Sequence, residues 1–205
     1  MKNSLAHKKV YQFKISLQGI EPLIWRRILV PETYSFWDLH VAIQDAMGWL
    51  DYHLHLFRIR QKRAHSEIEI GIPNEDRFEG ENEILPGWEI PIADYFYDVG
   101  SACIYEYDFG DDWKHEIILE GIQLQEKDEK YPKCIGGAQA CPPEDCGGIG
   151  GYIGLLEVIS DPENEEYEEM ITWLGGKYDP SNFSPDRVKF DNPRRRWKMA
   201  FEDGI

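Results

Sequence analysis

The side chains able to bind or react fall in a few short stretches of this chain. Tyr107-Asp108-Phe109-Gly110-Asp111-Asp112-Trp113-Lys114-His115 carries three carboxylates and an imidazole, and Cys141-Pro142-Pro143-Glu144-Asp145-Cys146 carries two more acids. Carboxylates gathered from two loops would suit a hard divalent cation, which takes several oxygens, or acid–base chemistry. The candidate binding set is therefore Asp108, Asp112, His115, Glu144 and Asp145. A local reading competes with it and is preferred. Asp111 and Asp112 are ordinary turn residues, and Asp145 can accept backbone N–H bonds inside a glycine-rich loop.

Three further groups invite chemistry. Cys134, Cys141 and Cys146 lie in one Gly/Pro-rich stretch, with His55 or His115 as a fourth ligand for zinc. Structural zinc sites use paired Cys-x₂₋₄-Cys turns, however, and the wider spacing between Cys134 and Cys141 favours inert thiols. The glycines from Gly147 to Gly154 precede or open a helix, as phosphate cradles do, but neither phosphate-binding motif is present. Tight backbone packing is the better account. His53 and His55 lie two apart on an expected strand, which turns both to one side, while His115 beside Tyr107 reads as a hydrogen-bonded core residue. No Ser-His-Asp order or nucleophile elbow is visible, and the residues name no cofactor.

Charge narrows the classes of partner. The 205 residues hold 22 Lys and Arg against 38 Asp and Glu, a net charge of −16. That field repels phosphate backbones and disfavours nucleic acid. The distribution is uneven: 134–170 has nine acids and no Lys or Arg, whereas 189–198 has five Lys or Arg against one acid. An acidic face of this kind suits a basic protein partner. No stretch approaches the roughly 20 apolar residues of a membrane span, and no signal-peptide core follows Met1, so a cytoplasmic protein is expected. Four Cys are too few for a disulfide framework.

Alternating apolar residues predict the strands that position these groups, at Val10–Leu17, Ile24–Val30, His53–Arg60 and Ile68–Ile72. Ser35 with Asp38 three residues on predicts a helix N-cap, Phe36, Leu39, Ile43 and Met47 continue at helical spacing, and Gly48 ends it. A loop is expected from Pro73 to Gly87 and a short helix from Pro91 to Phe96. Cys103–Gly121 is the clearest hairpin. A turn at Gly110-Asp111-Asp112 pairs Phe109 with Trp113, Tyr107 with His115 and Tyr105 with Ile117. These side chains then face the core, with Glu106, Asp108, Lys114, Glu116 and Glu120 outward. The span 132–151 reads as irregular. Two helices follow, one through Tyr152, Leu155, Leu156 and Ile159, the other starting at Asp161-Pro162 and ending at Gly175-Gly176. The fold class is α+β: a single compact domain over 1–205, its core about 10–190, with a mainly antiparallel sheet packed against helices.

Ile24-Trp25-Arg26-Arg27, His53-Leu54-His55-Leu56-Phe57, the Tyr107–His115 stretch and Cys141–Gly148 occur in that order. In this the chain resembles the Ri-plasmid open-reading-frame-three-like family, over about Val10 to Phe190. Members often carry an insertion-element TnpR label and occur on plasmids, mobile elements and microbial chromosomes. The resemblance implies a compact α+β domain without a named activity. A serine recombinase needs a nucleophilic Ser near the N-terminus supported by several Arg. Ser4 and Ser16 have no such surroundings, so the label reads as genomic context. The expected function is a non-catalytic binding or interaction module; a metal-dependent, hydrolase-like enzyme is the alternative.

Overall fold

The computed structural model describes residues 8–60, 66–73 and 82–202 of the chain. In order along the chain it holds β1 (Lys9–Leu17), β2 (Trp25–Pro31), α1 (Phe36–Met47), β3 (His55–Arg60), β4 (Glu67–Gly71) and β5 (Ile84–Pro86). There follow β6 (Ala102–Tyr107), β7 (Trp113–Leu124), β8 (Lys133–Ala138), α2 (Gly148–Ser160), α3 (Tyr167–Trp173) and α4 (Pro193–Phe201). Among the described residues the strands form one eight-stranded sheet, ordered β5-β4-β3-β6-β7-β1-β2-β8. Only the β4–β5 pairing is parallel. The expected α+β class with a mainly antiparallel sheet is what the chain adopts.

Strand alternation builds the core. Phe13, Ile15 and Leu17 of β1, Ile28 and Val30 of β2, Phe57 of β3, Tyr105 and Tyr107 of β6, and Ile117 and Leu119 of β7 are buried in one cluster with Phe36, Leu39 and Ile43 of α1. The opposite face carries polar pairs, among them Arg27 with Glu120 and Arg58 with Glu106 and Glu69. Opposite Gln12 and Phe13 a bulge adds one residue, Glu120, to β7. Arg26, next to Arg27, therefore takes the inward face beside Ile28, and only 1% of its surface is exposed.

Helix α1 has the predicted ends. The Ser35 hydroxyl accepts from the Asp38 N–H, the Asp38 carboxylate accepts from the Ser35 N–H, and Gly48 closes the helix in left-handed backbone at φ 94°. This reciprocal cap satisfies two of the free N–H groups of the first turn. Ser35→Ala should lower stability by about 1 kcal/mol, read as a fall in the urea midpoint at unchanged slope.

The structure departs from expectation in several places. The hairpin pairs Tyr107 with Trp113, Tyr105 with His115 and Cys103 with Ile117, two residues from the expected register. Its turn is longer because Asp108 and Asp112 both take left-handed backbone, at φ 56° and 57°. The faces survive the shift, since a slip of two keeps every side chain on its side. Phe109 does not: it sits in the turn and is 49% exposed. Glu106 keeps the outer face and Asp108 sits in the turn, yet both are buried rather than exposed, because each carboxylate has a partner. The span expected to be irregular contains β8, whose Gly136 and Gly137 pair with Arg27 and Arg26. Helix α3 begins at Tyr167, since 161–166 forms turns. A three-residue strand, β5, lies in the expected 73–87 loop, of which 74–81 lie outside the described residues.

Candidate functional site

Two loops meet where β6 turns into β7. Asp108 opens the turn, and its Oδ1 accepts from the Gly110 N–H at 2.9 Å and the Asp111 N–H at 3.3 Å. Short polar side chains tolerate the left-handed backbone here because they bond their own loop. This use of Oδ1 aims Oδ2 the other way, to 3.6 Å from Nε2 of His53. The Cys141–Gly148 loop packs against the same turn. Its Gly147 N–H donates to Asp111 Oδ2 at 3.1 Å, and a Cβ on Gly148 would lie 2.5 Å from the Asp111 carbonyl oxygen. Only glycine allows that approach. Trp49 Nε1 donates to the Pro142 carbonyl at 2.9 Å, and the Tyr178 hydroxyl donates to the Cys141 carbonyl at 2.9 Å. The loop is thus held at both ends.

The junction gathers a mixed cluster. His53 Nε2 lies 3.0 Å from Asp145 Oδ1, 3.6 Å from Asp108 Oδ2 and 4.0 Å from Glu144 Oε2. Ligand atoms of His53, Asp108 and Asp145 all lie within 4.8 Å of one another, the only such His/Cys/Asp/Glu group among the described residues. Despite three carboxylates around it, His53 Nε2 is buried and makes no well-aligned hydrogen bond. Glu144 accepts from the Leu50 N–H at 2.7 Å and from the Tyr107 hydroxyl at 3.1 Å. Burial pushes its carboxyl above the usual range, partly offset by these two donors and by His53. Burial, and then the Glu144 charge, raises the Tyr107 hydroxyl, which stays protonated as a donor.

Of the candidate residues, Asp108, Glu144 and Asp145 come together. Asp112 does not; it pairs with Lys114 at 2.6 Å on the surface. His115 lies in the core, edge-on to Trp49 at 5.3 Å, with Nδ1 3.4 Å from the Tyr105 carbonyl oxygen. His53 and His55 do not act from one face. His53 precedes β3 and joins the cluster, whereas His55 is buried and stacks on His40 at 3.5 Å. Cys134, Cys141 and Cys146 are free, and among the described residues they join no metal-ligating group. Burial raises all three thiols, that of Cys146 to about 12. The two-residue spacing pairs His53 with the wrong histidine. Its position in the His53–Phe57 stretch was the available signal.

These features define an α+β domain with a His–carboxylate cluster on the rim of its central hairpin. The chain belongs to the family described as plasmid pRiA4b ORF-3-like protein, which matches residues 9–187. It is 32% identical over 192 residues to uncharacterized protein y4hQ of Sinorhizobium fredii, covering 92% of this chain and 94% of that one. It is also similar to the crystal structure of MM3350, a protein of unknown function from Methanosarcina mazei Go1. That match has a TM-score of 0.80 and 42% identity, and covers 89% of this chain and 99% of that chain. Neither relative's name carries an activity. No helix among the described residues is long and apolar enough to cross a membrane.

Proposed function

We propose that the protein is a metal-binding module that holds one divalent cation between His53, Asp108 and Asp145, with Glu144 beside them. The observation that carries this reading is His53 Nε2, buried among three carboxylates and aligned with none. A cation at the centre would give each group a partner and offset the local negative charge. One imidazole and several carboxylate oxygens suit Mn²⁺ or Zn²⁺ better than a purely thiolate-seeking ion. Three protein ligands leave positions open to water, the feature that favours the alternative of a metal-dependent hydrolase.

Calorimetric titration of chelator-stripped, tag-free protein with MnCl₂ and ZnCl₂ tests the proposal. One ion should bind per chain. Asp108→Asn and Asp145→Asn should each weaken binding by at least about tenfold, since even outer partners of metal ligands are worth that much. The exposed Asp145 allows its variant to keep the parent melting temperature. Binding unchanged in both variants, or absent at about 1 mM metal (a free energy of only ~4 kcal/mol), would sink it.

A further inference from the structure

Arg26 occupies a core position that would ordinarily take an apolar residue. Its Nε donates to the Ala46 carbonyl, and its Nη1 to the Trp25 and Ala138 carbonyls, all at 2.9 Å. The Phe183 ring stacks on the guanidinium, 3.8 Å from its central carbon. The group is therefore fixed in place. Nη2 has no acceptor among the described residues, and no carboxylate there forms an ion pair with Arg26.

Carbonyl oxygens and an aromatic ring meet the charge, but no anion among the described residues pairs with it. The ionisable groups nearest in effect are Cys141, Cys134 and Tyr178, whose anions would favour the guanidinium. Burial raises all three above their ordinary ranges, so each is neutral near pH 7. Burying an unpaired charge is costly, and folds normally pair it. Arg26 instead lines a cleft of about 650 Å³ with Trp49, Trp173, Tyr178, Phe183 and Glu144. That volume is in the range of small-molecule sites, which combine apolar walls with a few fixed polar groups.

We infer that this cleft binds a small organic monocarboxylate with a flat apolar body. Its carboxylate accepts from the Arg26 guanidinium, and its body lies against Trp49, Trp173 and Phe183. A single charge is specified because one guanidinium serves the cleft and Glu144 shares its lining. A phosphate dianion would meet that carboxylate and the overall charge of −16. Arginine is suited to this role because its planar fork matches carboxylate geometry. The inference does not rest on the cation reading, although Glu144 adjoins both places.

The test compares phenylacetate with phenylacetamide, its uncharged counterpart of similar shape, by ¹H–¹⁵N NMR of the unaltered protein. EDTA is kept present so that a cation at the neighbouring cluster cannot supply the contact. Phenylacetate should shift the Arg26 Nε–H and the Trp49 indole N–H with saturation at about 1 mM or below. Phenylacetamide should bind roughly 10- to 100-fold more weakly, the value of a hydrogen bond to a charged group. Arg26→Gln removes a buried, bonded group and endangers folding, so the ligand pair carries the test. Trp173→Ala, at a half-exposed position, should weaken phenylacetate binding about tenfold through lost ring contact. Equal binding of acid and amide, no shift at about 10 mM phenylacetate, or shifts confined to other residues would overturn the inference.

Discussion

Moving the protein from about pH 7 to about pH 5 should lower its stability, by about 2 kcal/mol through His115 alone. The cause is two histidines buried without charge. Burial holds His115 down to about 3, against a weaker upward pull from the carbonyls of Tyr105 and Trp113, and Arg26 adds to the depression. Burial also pushes His55 well below the ordinary 6.5, and the stacked His40 adds to it. In the unfolded chain both take up a proton as the pH falls through 6.5, and in the folded chain burial opposes it. The His115 contribution is fully present above about pH 6.5 and is lost as the pH falls toward 3, and that of His55 is lost in the same direction. Each unit below 6.5 costs about 1.4 kcal/mol for His115, or about 2 kcal/mol at pH 5. Glu144 and Asp45, whose carboxyls burial raises, work in the opposite direction. Urea denaturation at three pH values between 7 and 5 measures it, and His115→Gln should reduce the slope. A stability flat across that window would mean that the two imidazoles are not buried as described.

Replacing Trp113 by alanine should cost about 3–5 kcal/mol, a large share of the roughly 5–15 kcal/mol available to a domain. Trp113 is 1% exposed and starts β7 opposite Tyr107. Its ring lies 6.1 Å from that of Trp49, which stacks on Tyr107 at 4.9 Å. Truncation would leave a cavity under the turn that carries Asp108, and the surrounding aromatics can close it only partly. Phe109→Ala, four residues away in the same hairpin, should change stability by no more than about 0.5 kcal/mol, as surface substitutions do. The contrast between the two variants, read from denaturation midpoints, separates core from turn. A Trp113→Ala protein within about 1 kcal/mol of the parent would be incompatible with this core.

Much of the scaffold was legible because its signals are local. The Ser35–Asp38 cap, the alternation in β1 and β2 and the glycine at the end of α1 need only neighbouring residues to be read. What escaped depends on contacts distant in sequence. β8 is rich in glycine and reads as loop, yet β2 supplies the partner that makes it a strand. The hairpin register turned on whether Asp108 and Asp112 would take left-handed backbone, which aspartate permits but does not announce. Asp108, Glu144 and Asp145 could be named from their loops, but His53 could not be joined to them. Its membership depends on β3 starting only at His55 and on the turn swinging Asp108 toward it. Arg26 and Arg27 are alike in the sequence, and only the strand's phase puts one on each face of the sheet.

The most direct test of the central claim is an anomalous difference map from a crystal of the protein soaked in MnCl₂. The cation reading predicts one strong peak, roughly 2.0–2.4 Å from His53 Nε2 and from one carboxylate oxygen each of Asp108 and Asp145. A map with no peak there, or with manganese only at other carboxylates, would contradict it.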